Sequence, residues 1–84
     1  MSGSRFRIVP NPPAVGQACE VTYVGPAAEV SWQVDDGAPV RVRPGRDGKF
    51  RIDPVPQGAE LMLSDGRGVP GYLYTEIVSL VRGK

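Results

Sequence analysis

The chain has 84 residues, ten Lys and Arg against nine Asp and Glu, no histidine, one cysteine and a net charge of +1. That length suits one domain and is too short for two cores, and a near-neutral balance projects no global field toward nucleic acid or a membrane. A lone cysteine excludes an internal disulfide and a cysteine-based zinc site, and the absence of histidine excludes imidazole triads, histidine metal ligands and imidazole proton shuttles.

Phe6-Arg7-Ile8-Val9 reads as a first edge strand, preceded by a flexible lead over residues 1–4. Pro10-Asn11-Pro12-Pro13 cannot donate a full set of ladder bonds, so it is expected as an extended connector along an edge. The second strand spans residues 18–24, with Cys19, Val21 and Tyr23 on one face and Glu20 and Thr22 on the other. The third spans residues 29–34. There Val30, Trp32 and Val34 are expected in the core, with Ser31, Gln33 and Asp35 outside.

Asp35-Asp36-Gly37 then turns the chain into a strand over residues 40–43, and Pro44-Gly45-Arg46-Asp47-Gly48 turns it into another over residues 49–53. Pro54-Val55-Pro56-Gln57-Gly58 is a rigid crossing suited to a change of sheet, followed by a strand over residues 59–64 and a glycine-rich loop over 65–71. The stretch 71–82 reads as a final strand, with Leu73, Ile77 and Val81 on one face and Tyr72, Tyr74, Val78 and Leu80 on the other. The 11 glycines and 9 prolines come near a low-complexity level, but they fall between these segments, where turns need them. The pattern predicts an all-β fold, a small antiparallel immunoglobulin-like β-sandwich of seven or eight strands in a single domain.

The residues also carry a resemblance. Pro13-Ala14-Val15-Gly16-Gln17-Ala18-Cys19-Glu20-Val21-Thr22-Tyr23 resembles the opening of bacterial and phage immunoglobulin-like domains, where a Pro-x-x-Gly-Gln stretch precedes a strand. Val30-Ser31-Trp32-Gln33-Val34 with Asp36-Gly37 is similar to their third strand and its turn. Asp47-Gly48-Lys49-Phe50-Arg51-Ile52 with Val55-Pro56-Gln57-Gly58-Ala59-Glu60-Leu61 is similar to transthyretin-like carboxypeptidase-regulatory domains. These framework patterns cover most of residues 13–66. Cys19 has no second cysteine to make the inter-sheet disulfide of antibody domains, and Tyr72 and Tyr74 resemble a tyrosine corner only loosely.

Two sets of residues are candidate partner-binding sites. If the two strands pair, Arg41, Arg43, Lys49 and Arg51 share one outward face, a dock for phosphate, an acidic protein or a capsid surface; the competing reading is a solvated face, partly neutralised by Asp47 and Asp53, that guards an edge. The second set is Tyr72, Tyr74, Val78 and Leu80, an apolar strip with tyrosines of the kind found at interface cores, unless the strand twists to bring both faces inward. No aromatic interleaves the basic set, so nucleic acid is disfavoured. Asp35, Asp36, Asp47, Asp53 and Asp65 lack calcium-loop spacing, and three of them precede turn glycines. No catalytic set, metal ligand set, cofactor or small-molecule ligand is expected.

No apolar run reaches 18 residues and no apolar leader core is present, so neither a membrane span nor a signal peptide is expected. Either the chain acts in a reducing compartment, or a leader was removed and Ser2-Gly3-Ser4 is an added scar. Met1 at face value suggests a complete cytoplasmic product. The resemblance implies a non-catalytic module, with an accessory virion protein of a tailed bacteriophage (capsid decoration or tail component) as its leading setting. Its partners are then capsid or tail subunits, or a second copy of itself. The alternatives are a carbohydrate-binding or adhesion module of a larger secreted bacterial protein, with Trp32 as an exposed stacking platform, then a transthyretin-like regulatory domain attached to an enzyme, and last a small hydrolase.

Overall fold

A computed structural model of the chain describes residues 5–65 and 74–82. Its seven strands are β1 (Phe6–Val9), β2 (Cys19–Tyr23), β3 (Val30–Val34), β4 (Val40–Val42), β5 (Lys49–Ile52), β6 (Glu60–Asp65) and β7 (Tyr74–Ser79). They form two antiparallel sheets, ordered β1-β2-β5 and β4-β3-β6-β7. The sheets pack face to face, because alternation gives each strand one apolar side with nowhere else to go. No helix long and apolar enough to cross a membrane is present among the described residues. The lead over 1–4, the loop over 66–71, Tyr72 and Leu73 lie outside the described residues.

The core is drawn from the inner phase of each strand. Phe6 and Ile8, Cys19, Val21 and Tyr23, and Phe50 and Ile52 line the three-stranded sheet, while Val30, Val34, Leu61 and Leu63 line the other. Val55, in the crossing between β5 and β6, is also buried: it donates to the Gln17 carbonyl at 2.9 Å and accepts from Gly16 N–H at 2.8 Å. That proline-flanked crossing is held to the sandwich by its own main chain.

The expected face shared by β4 and β5 does not form. β4 pairs with β3 and β5 pairs with β2, so the two strands belong to different sheets. Pro44 ends the β4 ladder, and a tight turn closed by the Gly48 N–H on the Gly45 carbonyl (2.8 Å) carries the chain across. Gly48 has φ +80, and a side chain there would press on the Tyr23 carbonyl, so only glycine lets this turn sit against β2. Phe50 and Ile52 then meet Val21 and Cys19 in register.

Three strands cannot cover four. The inner face of β4 overhangs its neighbours, leaving Val40 42% exposed and Val42 half-buried. Trp32, paired with Val40, is therefore half-buried against the core instead of enclosed in it. It packs inward, as its phase predicts, but at the margin.

Leu63→Ala, at a side chain with 0% exposure, is expected to cost about 2–5 kcal/mol, whereas Val24→Ala, 70% exposed, should stay within about 0.5 kcal/mol. Urea midpoints with unchanged slopes check both.

Candidate functional site

Outward-facing rows follow directly from the register. On the three-stranded sheet they read Arg7–Thr22–Lys49 and Val9–Glu20–Arg51. This face is densely charged and largely self-neutralised: Lys49 Nζ lies 4.0 Å from Glu20 and Arg51 lies 3.6 Å from Asp53. On the four-stranded sheet the rows read Arg41–Ser31–Ser64–Thr75, then Gln33–Met62–Ile77, then Glu60–Ser79. Its centre carries no charge. Ser31 and Ser64 share a 3.0 Å hydrogen bond there, and Ile77 is 59% exposed.

The basic set expected to act together is thus divided. Arg41 and Arg43 lie on the outer side of β4 and its continuation, with Arg43 3.9 Å from Glu29, while Lys49 and Arg51 lie on the opposite outer face. The connection over residues 43–48 keeps both strands on one flank, so the positive charges wrap around a flank and form no single plate. In the second expected set, Tyr74, Val78 and Leu80 pack half-buried against the core. They face inward because Tyr74 pairs with Asp65 and Val78 with Leu61, both inner residues. The outer side of β7 is Thr75, Ile77 and Ser79 instead.

One polar cluster was not anticipated. Asp65 continues the inner phase of Leu61 and Leu63, one residue beyond the expected end of its strand, and is 2% exposed. Its Oδ2 accepts the Tyr23 hydroxyl and Arg5 Nη1 at 3.0 Å, joining β6 of one sheet to β2 and the start of β1 in the other. The Tyr23 oxygen in turn accepts the Ala27 N–H at 3.0 Å, and a side chain at Gly25 would overlap the phenol. The Phe6 ring lies 5.1 Å from Tyr23 and 6.1 Å from Tyr74, with the Arg5 guanidinium 5.2 Å from the Tyr74 ring centre. Asp65 Oδ1 has no hydrogen-bond partner among the described residues, and Asp65 lines a cavity of about 10 Å³, the size of one water molecule. The signal for this cluster in the sequence is an aspartate in the apolar phase of a strand.

Burial, and then the bond to Asp65, push the Tyr23 phenol above its ordinary value, while the Asp65 bond holds Arg5 more firmly protonated. Burial likewise pushes up the Cys19 thiol, which is 2% exposed. This disfavours the thiolate that nucleophilic chemistry needs. The Asp35 carboxylate caps the start of β6, accepting Ala59 N–H at 3.0 Å and Glu60 N–H at 3.0 Å, so its oxygens are engaged by main chain. Among the described residues no three His, Cys, Asp or Glu side chains converge as a metal-holding group. A shallow depression of about 480 Å³ lies between the β2–β3 and β4–β5 connections, with Gly25, Ala27, Pro44, Arg46 and Asp47 on its walls. No family model, curated protein or solved structure matches the chain.

Asp65→Ala strands the Tyr23 hydroxyl and should cost about 2–3 kcal/mol, with Asp65→Asn costing less because an acceptor remains; urea midpoints decide. A second expectation concerns alkali. A phenol raised in the folded state contributes stability that is complete below its unfolded value near 10 and is lost as pH rises through the folded value. The buried thiol adds the same behaviour above its ordinary value of 9. The denaturation midpoint should therefore fall on the alkaline side, and Tyr23→Phe should flatten the part of the fall above pH 10.

Proposed function

We propose that this chain is a non-catalytic interaction module with an immunoglobulin-like fold. Two features of the sandwich support the fold assignment. The strand orders 1-2-5 and 4-3-6-7 match an A-B-E sheet facing a C′-C-F-G sheet. A parallel bridge between Ala14 and Val81 also ties the first connection to the end of the last strand.

The observation that carries the function is the contrast between the two outer faces. Ser31, Gln33, Met62, Ser64, Thr75, Ile77 and Ser79 form an uncharged surface on the four-stranded sheet, bounded by Arg41 and Glu60 at its ends. Depletion of charge at the centre of a patch, with a charged margin, is the composition of a protein-binding surface. The opposite face is dressed with ion pairs of the kind that keeps a sheet solvated. We assign the contact to the uncharged face and the partner to a protein. The setting that fits the resemblance of residues 13–66 is the particle of a tailed bacteriophage, with the chain docked as a decoration or tail component on capsid or tail subunits.

Sedimentation of the untagged protein from its source is the test. Recovery at many copies in a megadalton particle supports the virion setting, and recovery only as free protein, as the 9.0 kDa chain or a small oligomer of it, overturns it. Rebinding to that particle then tests the face. Met62→Lys should weaken association at least about tenfold, and Arg51→Glu should leave it unchanged. The reverse result would move the contact to the charged sheet.

A further inference from the structure

Among the described residues the sandwich has four strand edges, and three of them carry outward charges and flanking prolines. β1 carries Arg7 and runs into Pro10, Pro12 and Pro13; β5 carries Lys49 and Arg51 and is stopped by Pro54. β4 has only three residues and sits between Pro39 and Pro44, with Arg41 and Arg43 on its outer side. Charges, prolines and shortness are the devices that stop a strand edge from pairing with another chain. β7 is six residues long and has no proline; its one charge, Glu76, lies in the inner phase, and its outer side is the uncharged Thr75, Ile77 and Ser79.

The main chain of this edge is open over a defined length. Leu80 N–H bonds to Ala59 O at 2.9 Å, so the even-numbered residues of β7 direct their N–H and C=O groups toward β6. The odd-numbered residues direct theirs away. At Val81 that outer side is occupied: its N–H reaches Pro13 O at 3.0 Å and its C=O receives Val15 N–H at 2.9 Å. For Thr75, Ile77 and Ser79 no described residue takes these groups. The connector at residues 13–15 thus closes the edge at one end and leaves a window over 75–79, with Ile77 at its middle.

We infer that a second copy of this chain fills that window, the two β7 strands pairing antiparallel about a two-fold axis at Ile77. The two-fold register favours this occupant because it sets uncharged Thr75, Ile77 and Ser79 against one another and extends the Met62–Ile77 pair across the axis. Ile77 then faces Ile77 of the second copy, and Thr75 and Ser79 face each other across the axis on either side. Each of these pairs exchanges two main-chain hydrogen bonds. On the inner side Glu76 meets Val78 and Tyr74 meets Leu80, so no like charges are opposed. On the outer side Met62 already neighbours Ile77, and the axis joins the two copies into one apolar row, Met62–Ile77–Ile77–Met62. The product is an eight-stranded sheet whose two uncharged faces are continuous. Two joined copies would grip a repeated partner surface more strongly than one, but the pairing itself does not depend on what that partner is.

Sedimentation equilibrium of the purified full chain tests the pairing. The wild type should show a concentration-dependent mass rising toward twice 9.0 kDa. Ile77→Lys and Ile77→Glu, at a position 59% exposed, should each remain folded by circular dichroism and sediment as monomers. Mixing the two variants should restore the dimer, because lysine then faces glutamate across the axis. A wild type that stays monomeric at every concentration overturns the inference. So does a dimer that survives in Ile77→Lys, or a mixture that fails to pair.

Discussion

The hydrogen bond from the Tyr23 hydroxyl to the buried Asp65 carboxylate is the constraint on which the rest of this sandwich rests. A carboxylate on the inner face of a strand is costly to remove from water, and it is tolerated only where donors meet it. Here the donors come from the other sheet, Tyr23 on β2 and Arg5 before β1, so satisfying one charge also sets how the two sheets face each other at that end. Apolar contact alone is not directional and would permit small slides between layers. A hydrogen bond to a charged group does not.

Other features line up behind this bond. Gly25 leaves room for the phenol, and Gly48 lets the β4–β5 turn lie on the Tyr23 main chain, which donates to the Gly48 carbonyl at 2.8 Å. The Phe6 and Tyr74 rings stack beside it and bring β1 and β7 to the same end. With one end held by polar pairing, the other end is held by main chain, through Val15, Val55 and Val81. A chain this short has little apolar area to spare, and fixing the sheets at both ends compensates for it.

The mismatch between three strands and four shapes the surface. It leaves the inner face of β4 partly uncovered and gives Trp32 a marginal place, which weakens the reading of that ring as a free stacking platform, since its body still packs on the core. It also makes the four-stranded sheet the broader outer surface, and that surface carries the fewest charges. The basic side chains are spread over edges and the narrower face, where three of them lie within 4.0 Å of a carboxylate. Their arrangement suits solubility and edge protection. The broad uncharged face and the open β7 edge adjoin, so the two surfaces argued for contact form one continuous region.

Much of this architecture is legible in the chain itself. Alternation in segments such as Cys19–Tyr23 and Lys49–Ile52 assigns strands and their inner sides, because a period of two is a property of the local backbone. Glycine and proline mark the turns for equally local reasons. Which strands become neighbours is a different matter. Arg41 and Lys49 look like partners in sequence, yet a turn and a crossing have the same local signature, and only competition among packed faces decides that β5 joins β2. The same holds for Tyr74 and Val78, whose inward orientation depends on their register with Asp65 and Leu61. Asp65 is the clearest case: its sequence neighbourhood reads as a turn, and only the approach of Tyr23 and Arg5 from the other sheet makes it a buried bridge. The sequence by itself determined the strands, the inner faces of those before β7 and the absence of histidine chemistry and of an internal disulfide, since these follow from composition and local period. The tertiary structure alone decided the sheet partners, the uncharged face and the open edge, since each depends on which distant segments pack together.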